Sequence, residues 1–453
     1  LDYAEFLNQK RIVVRSEGID VPSDSINSGM FDYQRDITRW ALKKGKAALF
    51  EGCGLGKTFQ MLEWAKHVYD YTWQPVLILA PLAVAGQTAE EGAKFGIEVK
   101  QCNSKEDVIY GINVTNYEKL DRFNPDDFSG IILDESSILK SFTGKIRNQI
   151  IGAFTHTPFK LACSATPSPN DYMELANHAE FLGVMTRAEM LAMFFVHDGG
   201  DTSKWRLKGH AQEDYWRWVA SWAVMMQNPA DLGYDGSRFI LPELEVMPHV
   251  IMTGKEQVKT LTEQRIAAKE TLAARVARCA EIVNSTNDSF IVWCNLNDEA
   301  DALVNTIEGA VQIRGGDKPE YKERVLKGFS DGTIKRLVTK PSIAGFGLNW
   351  QHCHNQAFVG LSHSFEQYYQ AVRRCWRFGQ KNKVNVHVIS SDVEGAVVEN
   401  IRRKEAEFNI MLQSMISATQ EITKENIQAT KRDAGIYDPA VKMVLPEWLR
   451  RAS

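Results

Sequence analysis

The chain has 453 residues, 44% of them hydrophobic and 24% charged, with a formal net charge of −4. That length implies two or three domains, and the composition is that of an ordinary soluble globular protein. So small a net charge confines any polyanion-binding surface to a local groove. The longest apolar run, 76–86, is broken by Pro81 and too short to cross a bilayer, so no membrane association is expected. Asp2, Glu5 and Lys10 interrupt the first apolar residues, arguing against a secretory signal. Seven cysteines without a CxxC pair fit reduced thiols and a cytoplasmic setting.

Along the chain, 20–29 is turn-rich, and a helical pattern opens at Phe31-Asp32-Tyr33-Gln34 and runs through Trp40 to Lys44. The apolar run Ala47–Phe50 leads into Glu51-Gly52-Cys53-Gly54-Leu55-Gly56-Lys57-Thr58, and an amphipathic stretch follows from Phe59 to His67. Strand, glycine-rich turn and helix is the setting of a phosphate-binding loop, where backbone N–H groups face the phosphates. Lys57 would reach the β- and γ-phosphates and Thr58 would place its hydroxyl on Mg²⁺. The strict pattern has glycine where Glu51 stands; the plainer alternative is a glycine-rich turn with an exposed lysine. Pro75–Ala80 follows as a strand and Leu82–Phe95 as a helix, with further strands at Gly111–Thr115, Gly130–Leu133 and Phe159–Cys163. This alternation predicts a parallel sheet covered by helices, with ligands at the carboxyl ends of the strands.

From Asp171 to Ile240 the pattern turns to helices rich in Phe194, Phe195, Trp205, Tyr215, Trp216, Trp218 and Trp222. Tyr215, Trp218 and Trp222 keep one helical face, which favours core packing over stacking on bases. Leu241–Pro248 suggests an extended crossing, and Lys255–Val283 a long helix. A second α/β pattern begins at Phe290, with strands at Phe290–Cys294, Ile334–Thr339, Ala357–Gly360 and Val384–Ile389; Glu394–Ser417 is a charged helix.

Three stretches carry chemistry. Ile131-Ile132-Leu133-Asp134-Glu135 is a strand ending in two acids, 77 residues beyond Lys57. Asp134 would hold Mg²⁺, partly through water, and Glu135 would orient or deprotonate an attacking water. Leu161 to Pro167 runs into Ser164 and Thr166, small hydroxyls able to sense a γ-phosphate. Gln370 to Gln380 sets Arg374 and Arg377 three apart on one helical face, where they would clamp phosphate charge unless the face is simply solvated. Cys53 beside the loop is either a small packed residue or an oxidation-sensitive point. His352-Cys353-His354 does not make a zinc site, because neighbouring side chains on a strand diverge and no further ligands lie nearby.

Taken in order, these stretches resemble a superfamily-two helicase core of the Swi/Snf type, particularly the short form carried by phages and prophages. Phe31–Gln34 is similar to the Q motif, EGCGLGKT to motif I, where an acid at the place of Glu51 is usual, and Ala80-Pro81-Leu82 to motif Ia. Val114–Glu118 is similar to motif Ib, Asp134–Lys140 to motif II, and Ser164–Pro167 to motif III. In the second half, Ile291–Cys294 resembles motif IV, Ala344–Trp350 motif V, and Gln370–Gln380 motif VI. The resemblance implies an α/β fold of two RecA-like lobes with a helical insertion and a C-terminal helix. Lobe one would span 1–170, the insertion and linker 171–245, a leading helix 246–285, lobe two 286–392 and the extension 393–453. ATP and Mg²⁺ would be the cofactors. Gln34, Gly54, Gly56, Lys57, Thr58, Gly345 and Gln370 would contact nucleotide, and Lys57, Asp134, Glu135, Arg374 and Arg377 would perform catalysis.

The resemblance further implies a DNA groove touched by Pro81, Thr115, Lys340, Ser342, Gly345, Lys381 and Lys383, mostly at phosphates. Partners would be duplex or branched DNA and phage or host replication and recombination proteins, within a bacterial cytoplasm. Ser137 departs from the family's DEAH pattern by standing at the histidine position, which bears on how Ser137, Ser164 and Thr166 couple hydrolysis to motion. Three activities follow: translocation on duplex DNA, unwinding or annealing of forks, and an ATP-gated scaffold with little turnover.

Overall fold

The computed structural model describes residues 14, 16–81, 84–140, 144–168, 171–198, 201–254, 266–267, 269–345, 348–362 and 364–431. The expected helical residues Leu82, Ala83, 255–265 and 268, the motif V residues Phe346 and Gly347, and the mixed tail 432–453 lie outside them.

The first lobe grows from short apolar runs that alternate with helices. Strands β1 (Lys46–Glu51), β2 (Val76–Ala80), β3 (Val99–Gln101), β4 (Ile112–Asn116), β5 (Gly130–Asp134) and β6 (Phe159–Ser164) pair in parallel. Their interior residues are buried on both faces because helices cover the sheet on each side, so they appear in sequence as unbroken apolar runs. The aromatic-rich stretch then departs from the all-helical expectation. Phe195–Asp198 (β7) and Asp201–Leu207 (β8) form an antiparallel hairpin, and Ala223–Met226 (β9) joins the main sheet beside β1. The sheet order is β3-β4-β2-β5-β6-β1-β9, and Ala48 in β1 sits between Ala162 and Ala223. The first sheet therefore extends past the boundary expected at 170. Phe194, Phe195, Tyr215, Trp216, Trp218 and Trp222 are all buried.

The second lobe repeats the architecture with six parallel strands: β10 (Leu244–Ile251), β11 (Phe290–Trp293), β12 (Ala310–Gln312), β13 (Arg336–Thr339), β14 (Asn355–Phe358) and β15 (Val384–Ser391). Their order is β10-β15-β14-β11-β13-β12. The stretch expected to be an extended crossing is thus the edge strand β10, paired with β15 along its whole length. Arg275 and Glu299 form a buried ion pair at 2.9 Å, and Glu299 also accepts the N–H groups of Asn295 and Leu296. This pair ties the helix Leu272–Asn284 to the turn that follows β11.

A helix of 37 residues, Gly395–Lys431, leaves β15 and returns to the first lobe. In its first half Phe408 packs on Phe365 and Tyr369 of the second lobe. Near its end Asn426 donates to the Ala220 carbonyl and Ile427 enters the apolar cluster that holds Trp40 and Val224. Among the described residues, no helix is long and apolar enough to cross a membrane.

Candidate active site

Strand β1 ends at Glu51, and the helix Lys57–Thr72 begins after the glycine turn. Gly54 and Gly56 both hold positive φ, +88° and +79°, which favours glycine. A Cβ on Gly54 would lie 2.8 Å from the Phe378 nitrogen, and one on Gly56 2.2 Å from Gln34 Nε2. The turn is thus shaped for close approach from both sides. Lys57 Nζ donates to the carbonyls of Glu51 and Gly52 at 2.8 and 3.1 Å, a position from which a phosphate can draw it. Gln34 accepts from the Phe31 N–H and donates to the Leu55 carbonyl, pinning the preceding helix to the loop. Glu51 is fully buried; its carboxyl is pushed up to about 7, mainly by burial, against the pull of Lys57.

The acidic pair closes the same cleft from β5. Burial and the neighbouring Glu135 raise the Asp134 carboxyl to about 7, while Lys57 opposes the shift. Glu135 has φ +57°, an unusual backbone for a side-chain-bearing residue, and its Oε2 is buried with no partner. Tyr117 Oη donates to the Asp134 carbonyl at 2.7 Å. A glycine cradle at a helix start, a lysine, a hydroxyl at Thr58 and a carboxylate pair short of positive charge make a donor set that fits a nucleoside triphosphate with Mg²⁺.

The second lobe completes the cleft. Gln370 donates through Nε2 to Thr166 Oγ1 at 3.4 Å and accepts Arg374 NH2 through Oε1 at 2.8 Å. Thr166 N–H in turn donates to Ser164 Oγ at 3.0 Å, so a relay runs from the hydroxyl motif of one lobe to the arginine of the other. Arg374 also donates through Nε and NH1 to the Gln370 and Leu348 carbonyls. Arg377 shares one partner, donating through NH1 to the Leu348 carbonyl at 3.2 Å, and is the freer of the two: its Nε is buried without a partner, and Cys53, Glu91 and Glu135 are among the groups acting on it. Burial, then Arg374, brings it down to about 10. Phe378 stacks on Phe239 with ring centroids 4.8 Å apart and meets Phe31 edge-on, closing the side near Gln34. Lys140 pairs with Glu366, and Asn349 Nδ2 donates to Glu91 Oε1 at 3.0 Å, adding two further contacts between lobes.

Residues 274–379 match the helicase conserved C-terminal domain. That stretch covers β11 to β14 and the turn bearing both arginines. Among curated proteins none matches the chain. Among solved structures, the Sulfolobus solfataricus SWI2/SNF2 ATPase core in complex with dsDNA is similar at 17% identity, covering 91% of this chain and 99% of that one with a TM-score of 0.43.

Within the helicase-type stretch, Lys340 and Ser342 flank Pro341 just beyond the carboxyl end of β13. A hollow lined by Asn295, Pro341, Ser362 and Ser364 opens there. Pro81 lies at the carboxyl end of β2 in the first lobe, on the half of that sheet away from β1. Other nucleic-acid candidates fare differently. Thr115 is 1% exposed with its hydroxyl buried and unpartnered, because β4 is covered on both faces, so it presents nothing to a phosphate. The Gly345 N–H is committed to the Pro341 carbonyl. Lys383 pairs with Glu243 and Glu245 at 3.3 and 2.9 Å, which neutralises it, and with exposed Lys381 it precedes the amino end of β15. Of the HCH run, Cys353 is buried and donates to the Ser289 and Asn355 carbonyls, while His352 packs on Phe329. The sequence reading passed over His178 and Asn177. A lone histidine on an apolar helix carries no pattern of its own, and only its nearness to the acidic motif distinguishes it.

Proposed function

We propose that this chain is a DNA-dependent ATPase that couples hydrolysis between its lobes to movement along duplex DNA. The reading rests on one observation: the Gln370–Arg374 turn of the second lobe is seated against Thr166, and Phe378, next to Arg377, backs onto Gly54 of the glycine loop. The helicase match over the second lobe supports it, as does the resemblance of the ordered motifs.

In this mechanism the loop N–H groups and Lys57 bind the phosphates. Mg²⁺, held by Thr58 and Asp134, would neutralise phosphate charge. Glu135, with one oxygen buried and unpartnered, orients the attacking water and takes its proton. Arg377 offsets charge that develops on the transferred group, while Arg374, tied by its own carbonyl and amide partners, holds the turn in place. The Thr166–Gln370 bond exists only while the lobes meet, so loss of the γ-phosphate at Ser164 and Thr166 is transmitted as loosening of the second lobe. Lys340, Ser342 and Pro341 then shift against Pro81 on the bound strand.

Steady-state ATP hydrolysis without nucleic acid and with single-stranded, duplex and forked DNA and RNA tests the reading. Strong stimulation by plain duplex, weakening steeply with salt, is the expected result. Preference for forks would favour unwinding or annealing; ATP binding without turnover on any substrate would overturn the motor reading in favour of a scaffold.

A further inference from the structure

We infer that the helix Leu175–Leu182 is a clamp on the catalytic turn, and that His178 is a positioning residue for Glu135. This rests on the ATPase reading above.

The turn Ser136–Lys140 follows Glu135 directly, and the helix grips it at both ends. At the first end His178 Nε2 lies 3.1 Å from Ser136 Oγ, with both side chains fully buried. At the other, Asn177 Nδ2 donates to the Lys140 carbonyl at 3.1 Å. Adjacent residues of one short helix thus hold a five-residue turn whose far end reaches the second lobe through the Lys140–Glu366 pair. His178 also sets its ring edge-on to Phe50, centroids 5.0 Å apart, and Phe50 immediately precedes Glu51 in β1. It therefore joins the entry of the phosphate loop to the exit of the acidic motif.

Glu135 needs such support. A left-handed backbone at a residue with a side chain is strained and persists only when neighbours determine it. Tyr117 fixes the carbonyl before Glu135, and His178 fixes the side chain after it. Burial drives His178 down to about 4, so the imidazole stays neutral at physiological pH and serves as a hydrogen-bonding strut. Ser137, which holds the place of the family's histidine, is buried in the same turn. In this chain an imidazole reaches the acidic motif from a neighbouring helix instead.

Two amide variants of equal polarity separate positioning from packing. The side-chain nitrogen of glutamine reaches about as far as Nε2, whereas that of asparagine stops near Nδ1. With wild-type ATP turnover established first, His178→Asn is expected to lower kcat about tenfold with KM for ATP unchanged. His178→Gln should recover most of that loss. Ser136→Ala should match His178→Asn, and the double variant should fall no further than either single one. Melting temperatures of the two amide variants should lie close to one another, and the ATP affinity of His178→Asn should stay near wild type. Wild-type kcat in His178→Asn, or equal loss in both amides accompanied by lowered melting temperature, would overturn the inference while leaving the ATPase reading standing. Absence of turnover in the wild-type chain would overturn both.

Discussion

Replacing Glu51 by glutamine should stabilise the chain above neutral pH, although Glu51 sits in the phosphate loop. The carboxyl is completely buried and its native value rises from 4.5 to about 7, chiefly through burial. The native state therefore holds this proton more tightly than the unfolded chain does. Below about pH 4.5 both states are protonated and the group costs nothing; stability falls as pH rises through the window up to about 7, and above it the cost is complete. At about 1.4 kcal/mol per tenfold change in proton affinity, this amounts to about 3 kcal/mol. A glutamine there carries no charge, can still accept from Gln60 Nε2, which now donates to Glu51 Oε2 at 2.7 Å, and supplies a donor for Gln60 Oε1, which has no partner. Urea unfolding of wild type and Glu51→Gln from pH 4.5 to 8 measures the difference. The two curves should meet at the acid end and separate towards pH 8, with the variant more stable. Asp134 contributes a slope of the same sign to both proteins and cancels in the comparison. Parallel curves, or a variant less stable at pH 8, would refute burial as the cause of the raised value.

Glu135→Gln should lower ATP turnover at least about 100-fold, the usual weight of a positioned base, while equilibrium binding of fluorescent ATP persists; surviving turnover would show that Glu135 is not the base. Gln370→Leu removes one hydrogen bond to a buried arginine and one between the lobes. Losing a bond to a charged group costs about 1.5–3 kcal/mol, so kcat should fall about 10–100-fold, with Thr166→Val, which breaks only the bond between lobes, showing a smaller loss.

Much of the fold was legible because both sheets are parallel and covered on each face. Val76–Ala80 and Gly130–Asp134 are continuous apolar runs, and helical spacing lies between them. Ala223–Met226 escaped notice because it is four residues long and follows a tryptophan-rich helix, so the neighbourhood masked a strand. Leu244–Ile251 carries Pro248, which an edge strand tolerates, and alternates partly exposed with exposed residues, so it had the look of a link. In the site, glycines, Lys57, Asp134, Glu135 and the arginines stood out because their chemistry depends on local spacing. Roles that depend on what a side chain meets across the fold did not. Thr115 lies on a strand covered on both faces, Lys383 is matched by two glutamates at the start of β10, and His178 finds Ser136 from 42 residues away.

The helix Gly395–Lys431 has a consequence for mechanics. At about 1.5 Å per residue it is about 55 Å long, and it gives the lobes a second, non-covalent tie besides the covalent segment between β9 and β10. Chain and helix together form a closed linkage, like a door hung at both edges of its frame. Swinging the second lobe wide requires the helix to bend or to peel Ile427 and Asn426 from their seats. In the proposed mechanism each cycle would thereby be limited to a short stroke, keeping Arg377 within reach of the next nucleotide at high local concentration.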